Sequence, residues 1–222
     1  MTTPATLSGP ERPPQSGKNP TSLVFLLHGY GDSGDGLIPL ADVWAPILPD
    51  THFIAPHAPE PCGMMPPGMA GRQWFGLTTW TPYELLEGVK AAAPRLHNTV
   101  QAASDAHQVP FNKIALMGFS QGAMMSLYVA PRTSPALAGV LACSGALVGG
   151  ETLFVEKKSS PPIMLIHGQM DDVVPFAALP FAATALQTLG FQVQTLTRPM
   201  MSHSIDDVAL QEGGKFLQTI LA

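Results

Sequence analysis

"KIALMGFSQGAMMSLYVA", residues 113–130, runs a β-type apolar stretch into a helix-type one with only Gly118-Phe119-Ser120-Gln121-Gly122 between them. This is the pattern G-x-S-x-G, in which a serine is carried on a tight turn from the tip of a strand into a helix. The spacing has a steric cause. Side chains two before and two after the serine would collide with neighbouring backbone, and glycine avoids both collisions.

Working outward, short apolar runs bounded by Gly and Pro recur: "SLVFLLHG", "HFIAPH", "KIALMGF", "LAGVLACSG", "PIMLIHG" and "FQVQTLT". Most are continuous rather than alternating, as strands buried on both faces of a parallel sheet require. Between them lie helical stretches. From Thr81 to about Val109, Leu85, Val89, Ala92, Leu96, Val100 and Ala103 fall at helical spacing. Thr81 is the expected N-cap, Pro82 the first helical residue and Glu84 the closing member of a capping box, with a kink at Pro94. "QGAMMSLYVA" reads as a short helix stopped by Pro131, and "FAALPFAATALQTLG" as one ending at Gly190. "IDDVALQEGGKFLQTILA" reads as a terminal helix weakened, and so divisible into two, at Gly213-Gly214. Strands alternating with helices predict an α/β fold, a mostly parallel sheet with helices on both faces.

At 222 residues the chain suits one domain, 1–222, with a full core. Only 12% of residues are charged, against roughly 25% on average, and the net charge is −5. With no basic cluster beyond Lys157-Lys158, nucleic acid is excluded as an expected partner. Of the two cysteines, Cys143 lies inside an apolar run and reads as a buried free thiol, consistent with a reducing compartment. The first twenty residues hold five prolines and no continuous apolar segment, so the expectation is a cytoplasmic chain with a Pro-rich N-terminal segment and no transmembrane span.

A competing motif stands earlier. In "HGYGDSGDG", residues 28–36, Gly29, Gly31 and Gly34 spell G-x-G-x-x-G after a strand, the fingerprint of a dinucleotide cradle. That reading needs a carboxylate at the tip of the next strand to hold the ribose. "HFIAP" ends instead in Pro56, His57 and Ala58.

A serine hydroxyl needs a base, and the base needs an orienting carboxylate. In this topology the chain order is Ser, then Asp or Glu, then His. After Ser120 only His167 and His203 remain, and His167 precedes every later aspartate, so His203 is the better base. Glu151 or Glu156 with His167 is the formal competitor. "HGQMDDVVP" offers Asp171 and Asp172 as the carboxylate, one of them expected to be a loop charge or helix cap. Asp206 and Asp207 read as first-turn acids of the terminal helix.

"HGYGDSG", "GFSQGA", "HGQMDDVVP" and "MSHSI" resemble, in order and spacing, the phospholipase/carboxylesterase family of small α/β-hydrolases, which includes the acyl-protein thioesterases. "APHAPEP" and "GRQWF" are also similar to that family, particularly to its bacterial members. The resemblance implies an α/β-hydrolase fold of about seven strands without a large cap domain. It places the nucleophile on Ser120, the carboxylate on Asp171 and the base on His203. It implies an oxyanion hole from the backbone N–H groups of Tyr30 and Gln121; the family more often has leucine where Tyr30 stands, which would alter the pocket wall and leave the main-chain donor intact. It leaves no place for a dinucleotide, metal or other cofactor. The implied activity is hydrolysis of carboxylic esters or thioesters of short-to-medium acyl chains, including lysophospholipids or acylated proteins.

The stretch 61–80, rich in Pro and Gly, carries Met64, Met65, Met69, Trp74, Phe75, Leu77 and Trp80. In the resembled family the corresponding loop flanks an apolar acyl groove, and flexible methionines suit one. Trp74 and Phe75 read equally well as core anchors under a long loop. Val174 and Pro175, after the carboxylate loop, are further candidates to face an acyl group. His28 and His57 have no metal-ligand spacing and read as hydrogen-bonded strand-end residues, while His97 and His107 read as surface residues of the long helix. A non-catalytic ligand-binding protein on the same fold is the alternative from another class. Low surface charge together with the resemblance is compatible with a homodimer.

Overall fold

The six apolar runs become strands because each is bounded by residues that turn the chain, and all but the last, which forms the partly exposed edge, are sealed between two layers of helices. The computed structural model describes residues 5–63 and 70–222. In chain order the elements used below are β1 (Glu11–Arg12), β2 (Ser22–Leu27), α1 (Gly34–Leu37), α2 (Leu40–Trp44), β3 (Thr51–Ile54), β4 (Glu60–Pro61), β5 (Arg72–Gln73) and α3 (Pro82–His107). They continue with β6 (Ile114–Phe119), α4 (Gln121–Val129), β7 (Gly139–Cys143), α5 (Leu153–Glu156), β8 (Ile163–Gly168), α6 (Ala178–Thr188), β9 (Val193–Arg198) and α7 (Asp207–Leu221).

A seven-stranded sheet runs in the order β1-β3-β2-β6-β7-β8-β9, and β4 pairs with β5 apart from it. Every pairing in the large sheet is parallel except β1 with β3. Strands β2, β6, β7 and β8 are buried almost throughout, as continuous apolar runs require. One face carries α3, α4 and α6 over a core that includes Phe25, Trp74, Leu96 and Met125. The other carries α1, α2 and α7 over Leu26, Trp44, Phe53 and Met117. The chain order of the sheet reverses between β2 and β6, so the loops leaving these neighbouring strands diverge and open a crevice at their carboxyl ends.

The sequence expectations for the helices need three adjustments. Thr81 caps α3 by accepting from the Glu84 backbone N–H, but Glu84 does not reach back to the cap residue. Its carboxylate accepts from the backbone N–H groups of Thr78, Thr79 and Trp80 at 2.7, 2.8 and 2.7 Å, folding the end of the preceding loop around itself. These bonds, that of Thr79 foremost, hold the Glu84 carboxyl below its ordinary range. Helix α7 is a single unbroken element despite Gly213 and Gly214. A β-carbon at Gly213 would stand 2.8 Å from Leu141 Cδ2 and one at Gly214 2.9 Å from Trp44 Cδ1, so the pair lets the helix lie close on the sheet and its packing offsets the propensity cost. Asp206 is the N-cap of α7 rather than a first-turn residue, accepting from Ala209 N–H at 2.8 Å.

Cys143 and Cys62 are both buried and free. Complete burial pushes the Cys143 thiol up to about 12. Among the described residues no helix is long and apolar enough to cross a membrane.

Candidate active site

Ser120 follows the last residue of β6 and precedes the first of α4, and its backbone is in a strained region for a non-glycine residue (φ 54°, ψ −117°). The flanking glycines are required there. A β-carbon on Gly118 would lie 2.3 Å from Gly122 O, and one on Gly122 would lie 1.9 Å from Leu27 O. Ser120 N–H donates to Cys143 O on β7 at 2.9 Å, and Met124 N–H to Ser120 O at 3.1 Å, so both sides of the turn are tied down.

The loop after β2 comes up against this turn. A β-carbon on Gly29 would lie 3.3 Å from Ser120 Cβ, so the backbone leading into Tyr30 passes directly beside the serine. Gly31 then turns the chain at φ 81°, where its N–H donates to Arg72 O at 2.9 Å, and Arg72 N–H returns a bond to Asp32 O at 2.8 Å. Of the three glycines of the G-x-G-x-x-G, Gly29 admits the close pass beside Ser120, Gly31 supplies the turn, and Gly34 lets α1 start against Ala55 O. Gln121 opens α4, whose first N–H groups have no partner within the helix.

On the other side of the crevice, the loops after β8 and β9 are stitched together: Gln169 N–H donates to Arg198 O at 2.9 Å and Met170 N–H to Met201 O at 3.1 Å. This stitching brings Asp171 and His203 face to face. His203 Nδ1 lies 2.8 Å from Asp171 Oδ2 and 3.0 Å from Oδ1, and the His203 ring packs on Phe119, the residue before the serine, at 4.8 Å between centroids. The Asp171 carboxylate is fully enclosed and His203 is 16% exposed. Burial alone would raise the Asp171 pKa; the His203 hydrogen bond and the N–H groups of Val174 and Val173, at 2.8 and 3.0 Å, outweigh it and hold the carboxyl below its ordinary value. Asp172 is exposed. Of the two adjacent aspartates, then, it is Asp171 that meets His203.

His167 is buried at the end of β8 and adds a contact that the sequence did not suggest. Its Nε2 stands 2.9 Å from Val174 O and 3.2 Å from Asp171 Oδ2, so the carboxylate lies between two imidazoles. Neither Glu151 nor Glu156 pairs with it: Glu156 is engaged by Arg132 and Thr152.

A largely apolar groove, about 560 Å³ in volume, is lined by residues of α3, α4, α6 and the Asp171 loop, among them Leu85, Met124, Val174, Pro175 and Phe181. Trp80, on the loop before α3, also lines it. Of the candidates named for a substrate wall, Trp80, Val174 and Pro175 line this groove. Trp74, Phe75 and Leu77 do not: they are at most 4% exposed, inside the core under the loop. Met64, Met65 and Met69 lie outside the described residues. The side chain of Gln121 explains the anchoring of the loop. Its Oε1 accepts from Trp74 N–H at 2.8 Å and its Nε2 donates to Phe75 O at 2.8 Å, while the Trp74 indole donates to His28 O at 2.9 Å. Phe181, missed as a groove residue, has one signal in the sequence, a large aromatic off the buried face of its helix.

Tyr30 is half-buried, and burial together with the adjoining Cys62 thiol pushes its phenol up to about 12. His28 is buried with both ring nitrogens occupied, at 2.7 Å from Gly29 O and 3.0 Å from Ala58 N, and burial lowers its pKa. His57 accepts from Gly34 N–H at 3.1 Å. Both are strand-end residues that hold loops.

Comparison with known proteins agrees with this architecture. The phospholipase/carboxylesterase family profile matches residues 14–221. An acyl-protein thioesterase 1 of Gibberella zeae is 31% identical over 212 residues, covering 89% of this chain and 90% of the relative. Esterase YpfH of Escherichia coli is 31% identical over 206 residues, covering 92% and 83%. Among solved structures, esterase PE8 superposes with a TM-score of 0.93 at 38% identity, covering 98% of this chain and all (100%) of that one. SOBER1 of Arabidopsis thaliana shares the fold, with a TM-score of 0.76 at 22% identity over 90% and 99% of the two chains. Fold, ordered motifs and relatives converge, and the chain belongs to the phospholipase/carboxylesterase family of α/β-hydrolases.

Proposed function

We propose that the protein hydrolyses carboxylic esters or thioesters of short-to-medium acyl chains through Ser120, His203 and Asp171. The observation that carries the reading is the short Asp171–His203 pair, at 2.8 Å, held beside a serine on a strained turn. With Asp171 ionised, His203 carries its proton on Nδ1 and leaves Nε2 as the acceptor, the tautomer a general base needs. His203 takes the Ser120 proton as Ser120 Oγ attacks the acyl carbonyl; the alcohol or thiol leaves with that proton. Water, deprotonated by the same imidazole, then releases the acid from the acyl-enzyme.

The developing oxyanion is met by the N–H groups of Tyr30 and Gln121. The support is their position: one on the loop that passes Ser120, the other at the start of α4, whose dipole favours negative charge. Losing one such donor costs about 3–4 kcal/mol of transition-state stabilisation in comparable sites. The apolar groove along Met124, Val174 and Phe181 suits the acyl chain, because it starts one helical turn from Ser120 and presents little that is polar.

A panel of p-nitrophenyl esters and acyl thioesters of graded length tests the reading. Turnover is expected for the wild type, none above background for Ser120→Ala, and KM should fall with chain length until the groove is filled. A fluorophosphonate should label Ser120 in the folded wild type. Hydrolysis that survives Ser120→Ala, or folded protein that refuses the label, overturns it.

A further inference from the structure

Far from the crevice, at the opposite end of the strands, three side chains from three separate parts of the chain meet. Glu11 comes from β1, His52 from β3 and His107 from the last turn of α3. The register explains the meeting. Glu11 pairs with Ile54, so its side chain lies on the same face as Ile54 and His52, the face that α3 covers. His52 Nε2 is 2.9 Å from Glu11 Oε2, and the His52 and His107 rings are 4.5 Å apart between centroids. One donor atom from each of the three residues falls within 4.8 Å of the others.

We propose that Glu11, His52 and His107 form a binding site for a divalent transition-metal ion of the zinc type. Two imidazoles and one carboxylate are a donor set that such an ion takes, leaving a fourth position for water. In a tetrahedral site with bonds of about 2.0–2.1 Å, donors are separated by roughly 3.4 Å. The Glu11–His52 edge already lies inside that separation, and the edges to His107 are at most 4.8 Å, so a shift of about 1.4 Å or less would close them.

Two further facts bear on the donors. The backbone behind Glu11 is fixed: Ala55 N–H donates to Pro10 O at 2.9 Å and His57 N–H to Ser8 O at 2.8 Å, so Glu11 is presented by a paired strand rather than a loose tail. Burial and the neighbouring His107 keep His52 deprotonated to lower pH than usual, and the neutral ring is the form that ligates. An ion here would join the N-terminal edge strand to the sheet and to α3.

The test uses untagged, chelator-treated protein and zinc chloride alone. Calorimetry should find one equivalent bound by the wild type, and affinity reduced at least tenfold in Glu11→Gln and in His107→Ala. Both residues are partly or fully exposed, so the variants should fold, which circular dichroism checks. Thermal unfolding supplies a second readout: zinc at 100-fold the wild-type Kd should raise the wild-type Tm by roughly 5–10 °C and raise that of each variant by no more than about half as much. Cobalt(II) bound to the wild type should give a visible absorption band that the variants lack. Absence of saturable binding overturns the proposal. So does binding of the same strength in both variants, which would put the ion elsewhere.

Discussion

Replacing Asp171 by Asn keeps the size of the side chain and removes its charge, and the hydrogen bonds around it dictate the outcome. One carboxylate oxygen, Oδ1, accepts from Val173 and Val174 N–H at 3.0 and 2.8 Å; the other, Oδ2, faces His203 Nδ1 at 2.8 Å and His167 Nε2 at 3.2 Å. An amide can satisfy only one side. With its oxygen toward the two N–H groups, its NH2 points at His203 and forces the proton of that ring onto Nε2, where it can no longer act as base. With the amide reversed, NH2 opposes two backbone donors instead. The first arrangement leaves fewer donors in conflict, so the wrong tautomer prevails. In comparable triads the same exchange lowers kcat about 10⁴-fold, or ~5.4 kcal/mol at 1.36 kcal/mol per decade. The NH2 also meets the His167 ring nitrogen, whose hydrogen is given to Val174 O, and one buried donor without an acceptor costs ~1–3 kcal/mol of stability. Steady-state hydrolysis of p-nitrophenyl butyrate by Asp171→Asn and Asp172→Asn, with urea unfolding of both, measures the two effects. Asp172→Asn should match the wild type. Activity of Asp171→Asn within tenfold of the wild type, or equal losses in the two variants, refutes the reasoning.

The remaining expectations are briefer. Gly122→Ala puts a β-carbon 1.9 Å from Leu27 O, so α4 must shift from β2; a loss of ~3 kcal/mol, seen as a Tm lowered by about 6–12 °C, is expected along with loss of turnover. Gln121→Ala leaves Trp74 N–H and Phe75 O unpaired in the core and should cost ~2–4 kcal/mol in urea unfolding, with increased proteolysis in 61–80 as the local signature. Cys143 should resist a thiol reagent at pH 8 until the protein is unfolded. Because its folded pKa, about 12, is raised above that of the unfolded thiol, its contribution to stability is complete below about pH 8.5 and is lost as pH climbs toward 12. Asp171 has the opposite sign: its lowered folded pKa contributes stability above about pH 4 that disappears as pH falls through the folded value, so Asp171→Asn should flatten the acid limb of a stability profile.

What could be read from the sequence follows from where the constraint was local. The G-x-S-x-G signature is confined to five residues of chain, and Gly118 is required by a collision within them, with Gly122 O, so the turn at Ser120 was legible even though Gly122 is required by the distant Leu27 O; the strands that are runs of apolar residues were legible too. Strand β1 was not. Its two residues, Glu11 and Arg12, are charged, exposed and followed by prolines, which is how an edge strand is kept from further pairing and also how a strand is hidden from hydrophobic pattern. The unbroken α7 was hidden for a related reason: what makes Gly213 and Gly214 tolerable is Leu141 and Trp44, far away in the chain.

The same distinction explains the site. Ser120, Asp171 and His203 are each marked by a short motif, whereas Gln121 shows its importance only once the loop it holds is in place. As the residue after the serine it was expected to contribute a backbone N–H; its side chain, 1% exposed, carries a second task, grasping both Trp74 N–H and Phe75 O. Trp74 in turn donates to His28 O, at the tip of β2 where the Tyr30 loop begins. The 61–80 stretch is therefore bound at one point to both sides of the crevice, the β2 loop and the α4 start, from which the two proposed oxyanion donors come. Trp74 and Phe75 tie those two backbones together, while Trp80 of the same stretch lines the groove. A change at Trp74 should accordingly lower kcat for every acyl length alike, while a change at Phe181, on the groove's exposed rim, should alter the order of preference among lengths and leave the shortest ester unaffected.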